Sequence, residues 1–243
     1  MRLKGQTIWI TGSAKRVGRA LALGCAKEGA DIVVHCHKSR AEAERVAKEI
    51  RKLKRRAMVV QGDHGVSADV VRMVAEIKKE FGGLTALINS ASVFPRKDFE
   101  SISEEDFFGV IRSNVYGQFL CAQKSVTLLR RAKPGRIINI TDASLKCPAA
   151  HYAHYFAAKG GLAALTKALA KELAPKILVN AIAPGRTIPA PDETGTMQKK
   201  LVERVPLKRW GGTEEILKAA LFLLESEYAT GETIAVDGGL SIS

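Results

Sequence analysis

The sequence predicts an α/β protein with a single domain, built as a doubly wound parallel sheet of seven strands with helices on both faces. Two observations carry this. Short β-branched runs alternate with longer stretches of helical apolar spacing throughout the chain. No linker or break in composition divides the 243 residues, a length at which one large domain buries a substantial core. Strands separated by helices specify parallel neighbours joined by right-handed crossovers, which cover the sheet on both sides.

The elements follow in order. TIWI at residues 7–10, DIVVH at 31–35, AMVVQ at 57–61 and ALIN at 86–89 read as the first four strands. RIINIT at 136–141, LVNAIA at 178–183 and TIAVD at 233–237 read as the last three. Helices are expected at 17–28, 41–54, 68–81, 104–131, 152–173 and 214–225, where apolar residues recur at helical spacing. Residues 186–195, RTIPAPDETG, carry two prolines and a glycine and read as a loop. It follows a strand end, where open α/β sheets bind ligands. A substrate lid is expected at 186–205, with a short helix of its own at 197–204.

Bulk properties exclude several classes. No apolar run approaches the ~18–20 residues that span a bilayer. The N-terminal MRLKGQTIWITGSAK passes from a polar lead straight into a strand, without a signal peptide's apolar stretch, and a cytoplasmic address is expected. Cys25, Cys36, Cys121 and Cys147 are scattered and read as free thiols. His35 and His37 flank Cys36, but on a strand the cysteine points to the other face, and no closed ligand set for a metal emerges. The net charge of +13 gathers at 48–56 and at Arg130, Arg131 and Lys133. Without a basic motif interleaved with aromatics it reads as solvated faces with a bias toward anionic small molecules, not as a nucleic-acid site.

Two local patterns carry chemistry. The first strand runs into Thr11-Gly12-Ser13-Ala14-Lys15-Arg16-Val17-Gly18 and then a helix. Glycines there let the backbone approach a pyrophosphate, and the helix N-terminus supplies amides and positive potential. This is a Rossmann-like dinucleotide turn. At the end of the second strand an NAD site carries an acidic residue, whereas this chain has Cys36, His37, Lys38, Ser39 and Arg40. Lys15 and Arg16 add cations nearby, so the expected cofactor is NADPH. In the second pattern Tyr155 and Lys159 sit four residues apart on one helix face, with Asp142 thirteen residues before the tyrosine. A neighbouring ammonium is expected to lower the phenol pKa and make it a usable proton donor.

These patterns, with Asn89-Ser90-Ala91-Ser92, Asn114, Pro184-Gly185 and Val236-Asp237-Gly238-Gly239 in order, resemble the short-chain dehydrogenase/reductases across almost the whole chain. The resemblance implies that Tyr155 is the catalytic acid, with Lys159 on the nicotinamide ribose and Asn114 holding a water in the proton relay. It implies that Asp63 contacts the adenine, that Asn89 and Ala91 line the cofactor, and that Pro184, Gly185 and Thr187 lie near the nicotinamide. It also implies a homotetramer assembled through the helices at 104–131 and 152–173.

Three departures narrow the substrate. Arg16 stands where the turn's second glycine is usual, Asp142 where a serine is usual, and N-S-A-S followed by Val93 and Phe94 replaces N-N-A-G. All three resemble the pteridine reductase branch, as does the run His37, Lys38, Ser39 for a 2′-phosphate. A carboxylate opposes the oxyanion of a ketone but can accept from the amino and ring N–H groups of a pterin. On this reading Phe94 stacks on the heterocycle, Ser92 hydrogen-bonds it, and Arg16 bridges cofactor phosphate and substrate. The expected activity is hydride transfer to a C=N bond of a dihydropterin or dihydrofolate. The alternatives are an NADPH-dependent carbonyl reductase acting on a ketoacyl thioester, sugar or quinone, and a cofactor-binding regulator without activity.

Overall fold

The computed structural model describes residues 1–190 and 193–243. Seven strands form one parallel sheet: β1 (Thr7–Ile10), β2 (Asp31–Cys36), β3 (Ala57–Gln61), β4 (Ala86–Asn89), β5 (Gly135–Ile140), β6 (Ile177–Pro184) and β7 (Thr233–Val236). Their order across the sheet is β3-β2-β1-β4-β5-β6-β7, every neighbouring pair parallel. The order reverses between β1 and β4, so the connections leaving these strands diverge and open a crevice beyond their carboxyl ends.

The two-residue period of the strands feeds two cores. Ile8, Ile10, Ile32, Val34 and Ile138 point to the face covered by α1 (Arg16–Lys27), α2 (Arg40–Lys52) and α8 (Thr213–Glu225). Trp9, Val33, Leu87, Ile137 and Val179 point to the face covered by α3 (Ser67–Phe81), α5 (Gly117–Leu129) and α6 (Ala153–Leu173). Most of these strand side chains are fully buried, each contributing about 1.5–3 kcal/mol of apolar transfer energy. Residues 104–131, expected as one helix, are not one. They divide into α4 (Glu104–Ile111), a π turn (Arg112–Tyr116) and α5. A capping box fixes the start of α4: the Asp106 amide donates to Ser103 Oγ at 3.2 Å, and the Ser103 amide donates to Asp106 Oδ2 at 2.9 Å.

The remaining boundaries fall within one or two residues of the expected ones. The lid's helix, α7 (Gly195–Glu203), begins two residues before its expected start at 197. Pro191 and Asp192 of the expected lid lie outside the described residues. Among the described residues no helix is long and apolar enough to cross a membrane.

Candidate active site

The crevice at the β1/β4 switch is a cleft of about 820 Å³. Its inner end is built on the turn after β1. Thr11 Oγ1 accepts the amides of Ser90 at 2.9 Å and Ala91 at 3.0 Å, which locks this turn to the one after β4. Gly12 has a φ of 63°, and a Cβ there would stand 2.8 Å from the Ala91 Cα, so only glycine fits. α1 starts with no side-chain cap and no acidic residue in its first turn. Its leading amides and positive dipole end are therefore unclaimed, and Lys15, Arg16, Val17 and Gly18 all line the cleft. That donor set fits a pyrophosphate.

Arg16 sits at a φ of 52°, the left-handed region that explains why glycine is usual at this position. Its guanidinium reaches across the cleft to the lid, donating to the Pro189 carbonyl at 3.1 Å and the Ile188 carbonyl at 3.5 Å. The end of the cleft where the adenine is expected is lined by His37 and Asp63, with Asp63 Oδ1 accepting the Gly65 amide at 2.8 Å. A side pocket of about 500 Å³ continues from there, bounded by His37, Arg40 and Arg72 and also by the carboxylates of Asp63, Asp69 and Glu76, the last two paired with Arg72. Lys38 and Ser39 lie on the loop beside His37 and are not among the residues lining either space.

At the reacting end, Asp142 follows β5. Its Oδ1 accepts the Ser144 amide at 2.7 Å, capping the 3-10 turn Ala143–Lys146, and its Oδ2 accepts the Tyr155 hydroxyl at 2.7 Å. Tyr155 is 5% exposed. Burial, then the charge of Asp142 and the hydrogen bond to it, push its pKa up. This corrects the expectation that Lys159 lowers it. The Lys159 ammonium is buried, donates to the Ile140 carbonyl at 2.7 Å and stands 5.7 Å from the Tyr155 ring centre. The charged group at the phenol is a carboxylate, not a cation. Burial lowers the Lys159 pKa to about 8, with Asp142 acting in the opposite direction.

Two asparagines are hydrogen-bonded within the protein. Asn114, at the centre of the π turn, uses both side-chain amide atoms on the backbone of one residue: Oδ1 accepts the Val93 N–H and Nδ2 donates to the Val93 carbonyl, each at 2.9 Å. These two bonds clamp the loop after β4 to the π turn. Asn89 is buried below the cleft, donating to Asn139 Oδ1 at 2.9 Å, and does not line it. Ala91, Pro184, Gly185 and Thr187 do line it.

The substrate side is aromatic. Phe94 stacks on Tyr152 with ring centres 4.2 Å apart and planes at 5°, and meets Tyr155 edge-on at 4.5 Å. One face of Phe94 is thus taken by Tyr152, a residue that spacing could have flagged, since it lies three positions before Tyr155 at the head of α6. Ser92 is exposed in the wall beside Phe94. Arg186 and Glu193 pair at 3.9 Å across the lid, and Arg96 and Arg204 line the outer cleft. His35, buried behind the glycine turn, is a further residue that sequence reasoning treated only as a possible metal ligand.

A parallel sheet with its cleft at the strand-order switch, and a buried tyrosine–lysine pair one helical turn apart beside it, define an oxidoreductase of the short-chain dehydrogenase/reductase class. Residues 12–241 match the family model described as enoyl-(acyl carrier protein) reductase, and the chain belongs to the short-chain dehydrogenase/reductase family. It is 33% identical over 238 residues to the 3-oxoacyl-[acyl-carrier-protein] reductase FabG of Staphylococcus epidermidis, covering 95% of this chain and 97% of the relative. It is 34% identical over 239 residues to the enzyme of the same name from Aggregatibacter actinomycetemcomitans, covering 97% of this chain and 99% of that one. Among solved structures it is similar to a gluconate 5-dehydrogenase from Burkholderia cenocepacia in complex with NADP and tartrate. That likeness has a TM-score of 0.92 at 30% identity and covers 100% of this chain and 97% of the other.

Proposed function

We propose that this protein is an NADPH-dependent reductase of pteridine reductase type, acting on a C=N bond of a dihydropterin or dihydrofolate. The observation that carries this reading is the 2.7 Å contact between the Tyr155 hydroxyl and the Asp142 carboxylate. A ketone oxygen gains negative charge as it is reduced, and a carboxylate at that point repels it. A pterin brings an amino group and a ring N–H, which are donors that Asp142 accepts. When those donors take Asp142, the phenol is released from it and its proton turns toward the ring nitrogen. The raised pKa keeps Tyr155 protonated until that moment.

A bound nicotinamide supplies the hydride. The chain supplies the rest: the glycine turn and α1 hold the pyrophosphate, and Lys159 on its buried tether to Ile140 sits where the nicotinamide ribose is expected. NADPH is favoured over NADH because the segment after β2, residues 37–40, carries no carboxylate and sends His37 and Arg40 to the side pocket. The NADP in the Burkholderia structure supports the same choice. The stacked Phe94 and Tyr152 give a flat heterocycle an aromatic wall. The setting that goes with this reading is a cytoplasmic homotetramer joined through α4, α5 and α6, where Phe107, Phe108 and Tyr116 stand exposed.

A second reading, an NADPH-dependent carbonyl reductase, is favoured by the relatives, whose name is that of a 3-oxoacyl thioester reductase and whose identity spans nearly the whole chain. Asp142 weighs against it. One experiment separates them: NADPH oxidation with dihydrobiopterin, dihydrofolate, dihydromonapterin and a 3-oxoacyl thioester, side by side. Turnover of the thioester alone would establish the second reading, and turnover of none with intact NADPH binding would favour a non-enzymatic regulator.

A further inference from the structure

β2 delivers His35 into the sheet interior directly behind the glycine turn, with 1% of its surface exposed. Its Nδ1 accepts the Gly12 amide at 2.9 Å, and its Nε2 lies 3.1 Å from the Gly62 carbonyl oxygen. A carbonyl only accepts, so Nε2 carries the ring proton and Nδ1 the free lone pair. The backbone of the same residue meets the turn twice more. The Ser13 amide donates to the His35 carbonyl at 3.0 Å, and the His35 amide donates to Ser13 Oγ at 3.0 Å. One residue of β2 therefore joins the turn after β1 to the loop after β3.

We propose that His35 is the positioning residue of the dinucleotide cradle, holding the Gly12 peptide so that the amides of residues 15–18 are presented to the cofactor pyrophosphate. The Gly12 peptide is the pivot of that presentation: it has a left-handed φ and lies against Ala91, so its direction sets where α1 begins. Its N–H points to the interior, away from the cofactor, and without an acceptor there the amide would be buried unpaired. The turn would relieve that by rotating the peptide, which moves the donors on its outer side. The imidazole is itself held in place. Trp9 meets it edge-on at 6.5 Å and His64 at 5.9 Å, and His64 is anchored in turn, its Nε2 lying 2.8 Å from the Ser113 carbonyl oxygen at the π turn. Burial keeps His35 neutral, with its pKa lowered to about 3. The nearby His64 and His37 contribute to that lowering, while the Gly62 hydrogen bond and Asp63 act against it.

The test compares His35→Leu with His35→Asn. The asparagine carbonyl replaces Nδ1 as acceptor for the Gly12 amide, whereas leucine removes the acceptor and keeps the apolar bulk. Dissociation constants for NADPH are measured by fluorescence titration, with thermal unfolding of each protein alongside. The expected result is that His35→Leu weakens NADPH binding by at least about fivefold, the worth of one neutral hydrogen bond, while His35→Asn stays within that factor of the native protein. Any other pattern, including equal loss in both variants, overturns the inference. Should His35→Leu fail to fold, His35→Asn decides alone: binding within about fivefold upholds the role and a larger loss overturns it. The role requires only that the cleft binds a dinucleotide, not that the substrate is a pterin. Native protein that binds neither NADPH nor NADH overturns the cofactor reading with it.

Discussion

Replacing Asp142 by asparagine changes the active site by one charge and almost no volume. The Ser144 amide keeps its acceptor, because the asparagine Oδ1 can occupy the place of the carboxylate oxygen that now receives it at 2.7 Å. The second oxygen, 2.7 Å from the Tyr155 hydroxyl, becomes an NH₂. The hydrogen bond reverses there: the phenol no longer donates to a carboxylate but accepts from an amide. A hydrogen bond to a charged group contributes about 1.5–3 kcal/mol. Losing its counterpart to a pterin's amino or ring N–H should therefore lower kcat/KM for dihydropterin by about 10- to 150-fold. The NADPH dissociation constant should stay within about twofold, since Asp142 does not belong to the phosphate cradle. The assay is steady-state NADPH oxidation across pH, with cofactor titrations in parallel. Asp142 also holds the Lys159 pKa of about 8 up, so removing its charge should move the alkaline limb of the profile to lower pH. An Asp142→Asn enzyme that reduces dihydropterin at the native rate would refute the role given to this carboxylate.

Three further outcomes follow from the same geometry. Lys159→Met should abolish turnover yet raise the melting temperature at neutral pH, because the folded-state pKa of about 8 lies below the ordinary lysine value of 10.5. Burying that charge costs on the order of 3 kcal/mol below pH 8, relieved as pH rises from 8 toward the unfolded value, so native stability should climb over that window and the variant's should not. Gly12→Ala places a side chain at a φ of 63° and 2.8 Å from the Ala91 backbone. The left-handed conformation alone costs about 1–2 kcal/mol, so calorimetry should show a fall of at least about 2 °C together with weaker NADPH binding. In acid, His35 is neutral in the fold down to about pH 3 but takes a proton near 6.5 when unfolded. Stability is thus fully present above pH 6.5 and drains away toward pH 3, by on the order of 5 kcal/mol. Urea unfolding at pH 7 and pH 4 should show the loss, and His35→Asn should flatten it.

The sheet was legible because each strand is a β-branched run bounded by a helix of different period, and that contrast survives without any tertiary information. The glycine turn and the Tyr155–Lys159 spacing were legible for a similar reason, since both are local patterns. What sequence could not show is where side chains turn once packed. Lys159 shares a helix face with Tyr155, yet its ammonium is drawn to the Ile140 carbonyl on the neighbouring strand. Asn114 and Asn89 have amides that can serve a ligand or a backbone, and only the folded chain reveals that Val93 and Asn139 take them. The contacts of Tyr152 with Phe94 and of His35 with Gly12 join residues 58 and 23 positions apart, beyond the reach of any local pattern. The helix break at residues 112–116 has no composition signal at all.

That break constrains the length of the chain. A π turn is an α-helix carrying one residue too many, tolerated where the surplus does something. Deleting a residue between Arg112 and Tyr116 would heal the helical hydrogen bonding while turning one half by about 100° and drawing it in by about 1.5 Å relative to the other. Either Leu120, Cys121 and Leu128 would then leave the sheet, or Asn114 would swing off the Val93 peptide. The residue count of the turn is fixed by what it joins. Relatives that lack the extra residue should therefore support the loop after β4 by a different contact.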